Sequence, residues 1–159
     1  MEQMAIEEII YRARMLKKEG GRWHFHMLGR ACRFNKNRGK FSVIFEDENG
    51  TSYCLFDEMP AKESKMLAEL AYGKGFLEKE GAGVHNPDFE VILERAKYLK
   101  SHGVEWHHHH FPPECIFNED KAKHCIVLED PILKKVFVAV YDGIHMHDLT
   151  KIEALFHNL

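Results

Sequence analysis

The sequence of 159 residues has no run of apolar residues that approaches the roughly 20 that a membrane-spanning helix needs. Its first ten residues, MEQMAIEEII, are acidic and amphipathic, whereas a secretory signal has a basic start and an apolar centre. Cysteine is scarce, with four residues, and thiols in such a chain stay free or bind metal in a reducing compartment. These absences predict a cytoplasmic protein that has no membrane partner.

The sequence also lacks the motifs of several large enzyme classes. It has no Gly-x-Ser-x-Gly motif, no phosphate-binding loop, no Gly-x-Gly-x-x-Gly motif and no Cys-x-x-Cys pair. What the chain has instead is histidine, with twelve residues of this type and four of them consecutive at 107–110. The run is internal, so a terminal expression tag does not explain it.

The chain repeats itself at the spacing that separates its two tryptophans, which we call the repeat spacing. The segment GGRWHFHMLGRACRFN at 20–35 returns as GVEWHHHHFPPECIFN at 103–118. An ungapped alignment of 6–35 with 89–118 has 13 identical residues in 30 positions, where unrelated segments would share roughly two at ordinary residue frequencies. Two copies are too few for a solenoid, so the repeat predicts a duplicated domain with approximate two-fold symmetry.

Each copy is predicted to begin and end with a helix. Apolar residues of 89–99 recur at helical spacing. Gly20 and Gly103 stand where the first helix of each copy should end, since glycine readily supplies the left-handed residue of a C-terminal cap. The last helices are predicted at about 60–72 and from 148 to the end.

Three strands are predicted between the two helices of each copy. Asn49-Gly50 and Asp130-Pro131 are turn signals between strand-like segments. The fold class is therefore α+β, an internal duplication of a helix–three-strand–helix unit whose antiparallel strands could join into one sheet. The predicted organisation is a first repeat at 1–73, a linker at 74–87 and a second repeat at 88–159.

Alternate side chains of a strand lie on the same face, so the two histidines of each repeated pair lie side by side. Two imidazoles that are two residues apart can both reach one metal ion. In the second copy, His108 and His110 fall on the opposite face from the repeated pair. The predicted metal ligands of the repeat are the His-x-His pairs His24/His26 and His107/His109.

Further metal ligands are predicted after the second pair. Cys115 follows His109 by six residues, a span of about 20 Å in a straight strand, so a shared metal requires a bend such as Pro112-Pro113. His124 stands on the next predicted strand. Imidazole with thiolate favours zinc, whereas imidazole with Glu114 would also suit iron or manganese. The alternative is that these are buried core residues, with the imidazoles bonded to backbone carbonyls.

Charge distinguishes the two copies. Residues 1–42 contain ten basic and four acidic residues, a balance of +6, and the other 117 contain 12 and 21, a balance of −9, which sum to −3. An anionic small molecule or a short nucleic acid would suit the basic segment. Alternatively, the basic and acidic segments attract each other, within the chain or across a homodimer. The predicted anion-binding residues are Arg30, Arg33, Lys36, Arg38 and Lys40.

Two functions fit these patterns. The first is a metal-dependent hydrolase, with zinc as cofactor, Glu114 as the base for a metal-bound water and the basic segment holding a phosphorylated or other anionic substrate. The second is a non-catalytic protein, either a metal-dependent regulator or a nucleic-acid-binding module. An open coordination position separates a catalytic metal site from a structural one, and the sequence alone leaves both functions open.

Overall fold

The computed structural model describes residues 1–78, 81, 83–118 and 123–157. Within them the protein is α+β, with four α-helices and two sheets. The chain divides into two compact units, unit 1 at Met1–Gly75 and unit 2 at Phe76–Leu159. Parts of the predicted linker (79, 80 and 82) and of the acidic segment of the second copy (119–122) lie outside the described residues. No described helix combines the length and the apolarity that crossing a membrane requires.

Unit 1 is a sheet with two helices. The elements are β1 Glu2–Gln3, α1 Ile6–Glu19, β2 Trp23–Leu28, β3 Phe41–Asp47, β4 Gly50–Phe56 and α2 Ala61–Tyr72. The sheet has the strand order β1-β4-β3-β2, antiparallel except that β1 runs parallel to β4. The first helix ends at Gly20, whose φ of 75° confirms the predicted left-handed cap.

The core of unit 1 lies between its helices and one face of its sheet. Ile9 and Ala13 of α1 and Leu67 of α2 pack with Val43 and Phe45 of β3. Partly buried aromatic side chains of β2, at 23 and 25, pack against this cluster. Because side chains alternate along a strand, the side chains at 24 and 26 belong to the face of the sheet opposite these aromatic residues.

Unit 2 is a sheet of three strands with two α-helices and a 3₁₀ turn. The elements are the 3₁₀ turn at Phe76–Glu78, α3 Pro87–Ser101, β5 His108–Phe111, β6 His124–Asp130, β7 Lys135–Tyr141 and α4 Met146–Phe156. The strand order is β5-β6-β7, all antiparallel. Asn86 caps α3, since its side chain accepts a hydrogen bond from the Asp88 N–H, and Pro87 occupies the first turn. Gly103, just after this helix, has a φ of 68°.

The strands fall into two sheets within the described residues, one in each unit, so the expectation of one shared sheet is wrong. The central strands, β3 and β6, each bond to a neighbour on both sides within their own unit. Both predicted turns are confirmed. The β3–β4 turn lies at 48–49, one residue earlier than the Asn-Gly signal. After β6, the Asp130 carboxylate accepts the backbone N–H groups of Ile132 and Leu133.

Candidate metal centres

Unit 1 brings the predicted pair His24/His26 together with a carboxylate. His24 lies opposite Glu46 in the β2–β3 register, and its Nε2 atom is 2.5 Å from a Glu46 carboxylate oxygen. The two imidazole rings have centroids 4.9 Å apart and planes tilted by 56°. His26 and Glu46 are only 3% and 5% exposed. All three residues offer potential ligand atoms within 4.8 Å of one another.

Unit 2 builds the same group from His107 and His109. Their ring centroids are 4.8 Å apart and their planes are also tilted by 56°. His107 Nε2 and Glu129 Oε2 lie 2.9 Å apart, and the three residues offer ligand atoms within 4.8 Å of one another. His109 is 2% exposed. We refer to the two sets, His24/His26/Glu46 and His107/His109/Glu129, as the His₂Glu groups.

The carboxylates of the His₂Glu groups were not among the residues predicted from sequence. A signal for them exists, because Glu46 and Glu129 are separated by the same repeat spacing as the histidine pairs. Each is followed by an aspartate, so the dipeptide Glu-Asp itself repeats. Neither His124 nor Cys115, which were predicted to join His107 and His109, belongs to their group.

The loop after β2 is fastened by a buried asparagine. The side-chain amide of Asn35 donates hydrogen bonds to the Gly29 carbonyl at 2.8 Å and to the Lys40 carbonyl at 2.9 Å. The Ser42 hydroxyl donates to the Asn35 side-chain oxygen. Both ends of the loop are thereby held together, which fixes where β3 starts relative to β2 and so supports the meeting of His24 with Glu46.

The loop after β5 is fastened in the same way by Asn118. Its amide donates to the carbonyls of Phe111, Pro112 and Lys123, at 3.2, 3.0 and 2.7 Å. Cys115 is buried inside this loop, where its backbone N–H donates to the Pro112 carbonyl. The loop therefore supplies the bend that the sequence suggested at the two prolines, but it does not carry Cys115 into the group of His107 and His109.

A second kind of group occurs in unit 2 and consists of imidazoles. His110, His124 and His145 offer ligand atoms within 4.8 Å of one another. His110 lies opposite Ile126 in the register, two residues from His124, so the two histidines are diagonal neighbours on one face. His145 reaches them from the N-terminal end of α4. We call this set the three-imidazole group.

Burial disfavours the charged form of two members of the three-imidazole group, His145 and His124. It lowers the pKa of His145 to about 4, with a smaller contribution from His124. Burial also lowers the pKa of His124, although the negative charge of Glu114 partly opposes this. The predicted base Glu114 therefore lies close enough to His124 for its charge to act on this imidazole. Neutral imidazole is the form that binds metal.

A third potential ligand group surrounds Asp148, which is fully buried. Its Oδ1 atom accepts from His85 at 2.8 Å and His147 at 3.0 Å, and its Oδ2 atom accepts from the Tyr141 hydroxyl at 2.6 Å and the Asn86 N–H at 3.0 Å. A carboxylate has about four lone-pair positions. Burial alone would raise the pKa of Asp148, but these hydrogen bonds lower it. Protein donors thus already fill the positions that a metal would use.

The predicted anion-binding residues all lie exposed around the β2–β3 loop. Two of them are engaged by Asp57, since Arg30 donates to its carbonyl at 2.8 Å and Lys40 lies 2.9 Å from its carboxylate. Arg30 also stacks over the Phe41 ring at 4.7 Å. The other three, Arg33, Lys36 and Arg38, take no part in these contacts with Asp57. We call these three residues the basic turn.

Comparison of the chain with protein-family models, with curated proteins and with solved structures finds no match.

Proposed function

We propose that the protein binds transition metal ions through its two His₂Glu groups, with zinc as the first candidate and iron or manganese as alternatives. The observation that carries this proposal is that the two groups have the same geometry. Their imidazole rings are separated by 4.9 and 4.8 Å and have the same tilt of 56°. Packing alone rarely requires two buried histidines and a glutamate at the equivalent place in two units, because burying titratable groups is costly.

The ligand set is chemically suited to these metals. Two imidazoles and one carboxylate bind zinc in many catalytic sites, and the same set with open positions binds non-haem iron. Ligand atoms around tetrahedral zinc lie about 3.3 Å apart, given bonds of about 2.0 Å. Separations within 4.8 Å can therefore be closed by small side-chain rotations, without a change of backbone.

We further propose that the chain arose by internal duplication, with approximate two-fold symmetry between the copies. Support comes from each unit by itself. Asn35 and Asn118 fasten equivalent loops at the repeat spacing, and Gly20 and Gly103 follow equivalent helices with positive φ. In an experimental structure, 6–72 should superpose on 89–157, helix on helix and strand on strand.

The activity we propose is hydrolysis of a phosphorylated or other anionic substrate. Bound zinc would lower the pKa of a coordinated water towards neutrality. Glu114 is the base of this proposal, and its proximity to His124 supports a role at a metal held by that residue. The exposed cations Arg33, Lys36 and Arg38 are the residues proposed to attract the anion, whether a small phosphate or a short nucleic acid.

A non-catalytic, metal-dependent regulator is the alternative function. The burial of His26 and His109 favours it for the His₂Glu groups, because a substrate needs access to an open coordination position. In that case the metal would stabilise each unit, and activity would be absent with all metals tested.

Metal analysis of untagged protein tests the proposal directly. We expect zinc near stoichiometric amounts, with one equivalent lost in His24→Ala and another lost in His107→Ala. His102→Ala is the matched control, because His102 is exposed and bonds to the Tyr98 carbonyl of its own helix. Folded protein that takes up no zinc, iron or manganese would contradict the proposal.

A further inference from the structure

Unit 2 differs from unit 1 by the three-imidazole group, in which the rings come from three separate elements. His110 belongs to β5, His124 to β6, and His145 is the residue before α4. The ring centroids are 4.3 Å apart for His110 and His145, 5.2 Å for His124 and His145, and 5.7 Å for His110 and His124. The group is thus a three-dimensional cluster and not a sequence run.

His145 has a buried side chain with little hydrogen bonding. The side chain is 3% exposed. The Gly143 backbone acts on its pKa, but within the described residues neither Nδ1 nor Nε2 makes a hydrogen bond of normal geometry. A buried polar group left in this way costs about 1–3 kcal/mol. His108 leaves only its Nδ1 atom in this state, because its Nε2 atom pairs with Glu153, whereas His145 leaves both nitrogens.

The geometry of the other two rings matches metal ligation. His110 Nε2 and His124 Nδ1 lie 3.4 Å apart, close to the separation of about 3.3 Å between two ligands of tetrahedral zinc. All three residues offer ligand nitrogens within 4.8 Å of one another. The group contains neither thiolate nor carboxylate, so it would add no negative charge to a bound ion.

We propose that His110, His124 and His145 form a separate zinc site that keeps a fourth coordination position for water or a small anion. Three imidazoles are a donor set of catalytic zinc sites, in which the remaining position is open. A divalent ion would satisfy a buried nitrogen of His145, for which no described residue provides a hydrogen bond of normal geometry. Glu114, whose negative charge acts on His124, would be the carboxylate that accepts a hydrogen bond from the metal-bound water.

This site belongs to unit 2 alone. At the repeat spacing, unit 1 has Met27 in place of His110 and Phe41 in place of His124, and both are buried apolar side chains. The inference goes beyond the His₂Glu groups and does not depend on them, because it shares no residue with either.

Cobalt(II) provides the probe, since it replaces zinc and has visible absorption bands that respond to a change in its ligands. Untagged, metal-free full-length protein is titrated with Co²⁺, and azide is then added as a small anion. The wild-type spectrum should change on addition of azide. His124→Ala and His110→Ala should each bind one equivalent less and lose the azide response. His102→Ala should retain both.

The outcomes separate this site from the His₂Glu groups. His24→Ala and His107→Ala should lose Co²⁺ but keep the azide response of the three-imidazole site. If instead His124→Ala and His110→Ala are folded and retain all Co²⁺ with the azide response, the proposed site is wrong. An absent azide response in the wild-type protein overturns the open position without any variant. Loss of metal in His124→Ala with none in His24→Ala or His107→Ala would refute the His₂Glu groups and support this site.

Discussion

Unit 1 and unit 2 share a scaffold and differ in what they add to it. Both have a helix, an antiparallel three-strand arrangement, a helix, an asparagine-fastened loop and a His₂Glu group. Unit 2 adds the three-imidazole group, whereas unit 1 has the basic turn with Arg33, Lys36 and Arg38. The shared features are the ones that strand pairing builds. Of the differences, the basic turn lies in a loop and His145 at a helix end, where residues can change without disturbing the sheet, whereas His110 and His124 are strand residues.

The repeated arginine illustrates how the same residue acquires different roles. Arg95 of unit 2 forms an ion pair with Asp130, which is fully buried. Its counterpart Arg12 pairs with the exposed Glu8 of the same helix, at 3.7 Å. The counterpart of Asp130, Asp47, accepts the N–H of Asn49 within its own turn. Identity at the repeat spacing therefore does not guarantee an identical contact.

The largest expected effect on stability concerns the two counterpart arginines, Arg95 and Arg12. Arg95→Met should lower the free energy of unfolding by about 3 kcal/mol, because it leaves the Asp130 charge buried without its partner. Arg12→Met should change it by less than about 0.5 kcal/mol, since an exposed pair contributes little. Chemical denaturation of the two variants measures the difference. Equal losses would mean that the two arginines have equivalent roles.

The next largest effect on stability concerns Asn35 and Asn118, the asparagines that fasten the two loops. Asn118→Ala and Asn35→Ala should each destabilise the protein by about 2 kcal/mol, because buried carbonyls at both ends of a loop lose their donor. The loss should be the larger for Asn118, which donates to three carbonyls against two for Asn35. Thermal unfolding compares both with Asn49→Ala, an exposed turn residue. A loss of stability in Asn118→Ala without a loss in Asn35→Ala would show that the two loops are fastened differently.

Acid sensitivity should be specific to unit 2, where Glu153 is buried between His108 and His157. Burial alone would raise the pKa of Glu153, but the charges and hydrogen bonds of these histidines hold it at about 2. The folded pKa lies below the unfolded value of about 4.3. The ionised carboxylate therefore contributes stability that is fully present above about pH 4.3 and lost as pH falls towards 2.

Unfolding measured between pH 6 and pH 3 tests this pH dependence, on the order of 2 kcal/mol. Glu153→Gln should be less stable than wild type at pH 6 and should lose less on acidification. In unit 1 the position of His108 is occupied by Phe25, which packs against the apolar core. The paired change His108→Phe with Glu153→Leu should therefore restore stability while the acid response stays small. An unchanged acid response in Glu153→Gln would show that other groups cause it.

The smallest expected effect concerns the basic turn of unit 1. Changing Arg33, Lys36 and Arg38 together to Ala should weaken binding of a short oligonucleotide or a small phosphate, by about 1 kcal/mol per charge at most, as for exposed ion pairs. Changing Arg30 and Lys40 should have less effect, because Asp57 already engages both. Titrations at several salt concentrations distinguish the ligands, since a polyanion shows a steeper salt dependence. If neither ligand binds, the turn is a solvated surface.

Much of the local structure follows from the sequence itself. The α+β class, the left-handed glycine after α1, both turns and the order helix, three strands, helix could be predicted, because periodicity and turn chemistry act between near neighbours. The short strand β1 of unit 1, which pairs with β4, was not predicted. The same alternation placed His24 and His26 on one face. The symmetry of the duplication and the metal itself stay predictions.

Only the tertiary structure decides which elements that are distant in sequence come into contact. Glu46 reaches His24 because of the register of β2 with β3, and His124 reaches His145 because α4 begins beside β6. Local pattern fixes which face a side chain occupies, but not which strand lies next to it. Register and helix placement depend on how the apolar faces pack and how the loops close. For this reason the sequence predicted His124 as a ligand together with His107 and His109, whereas in the structure His124 lies beside His110 and His145.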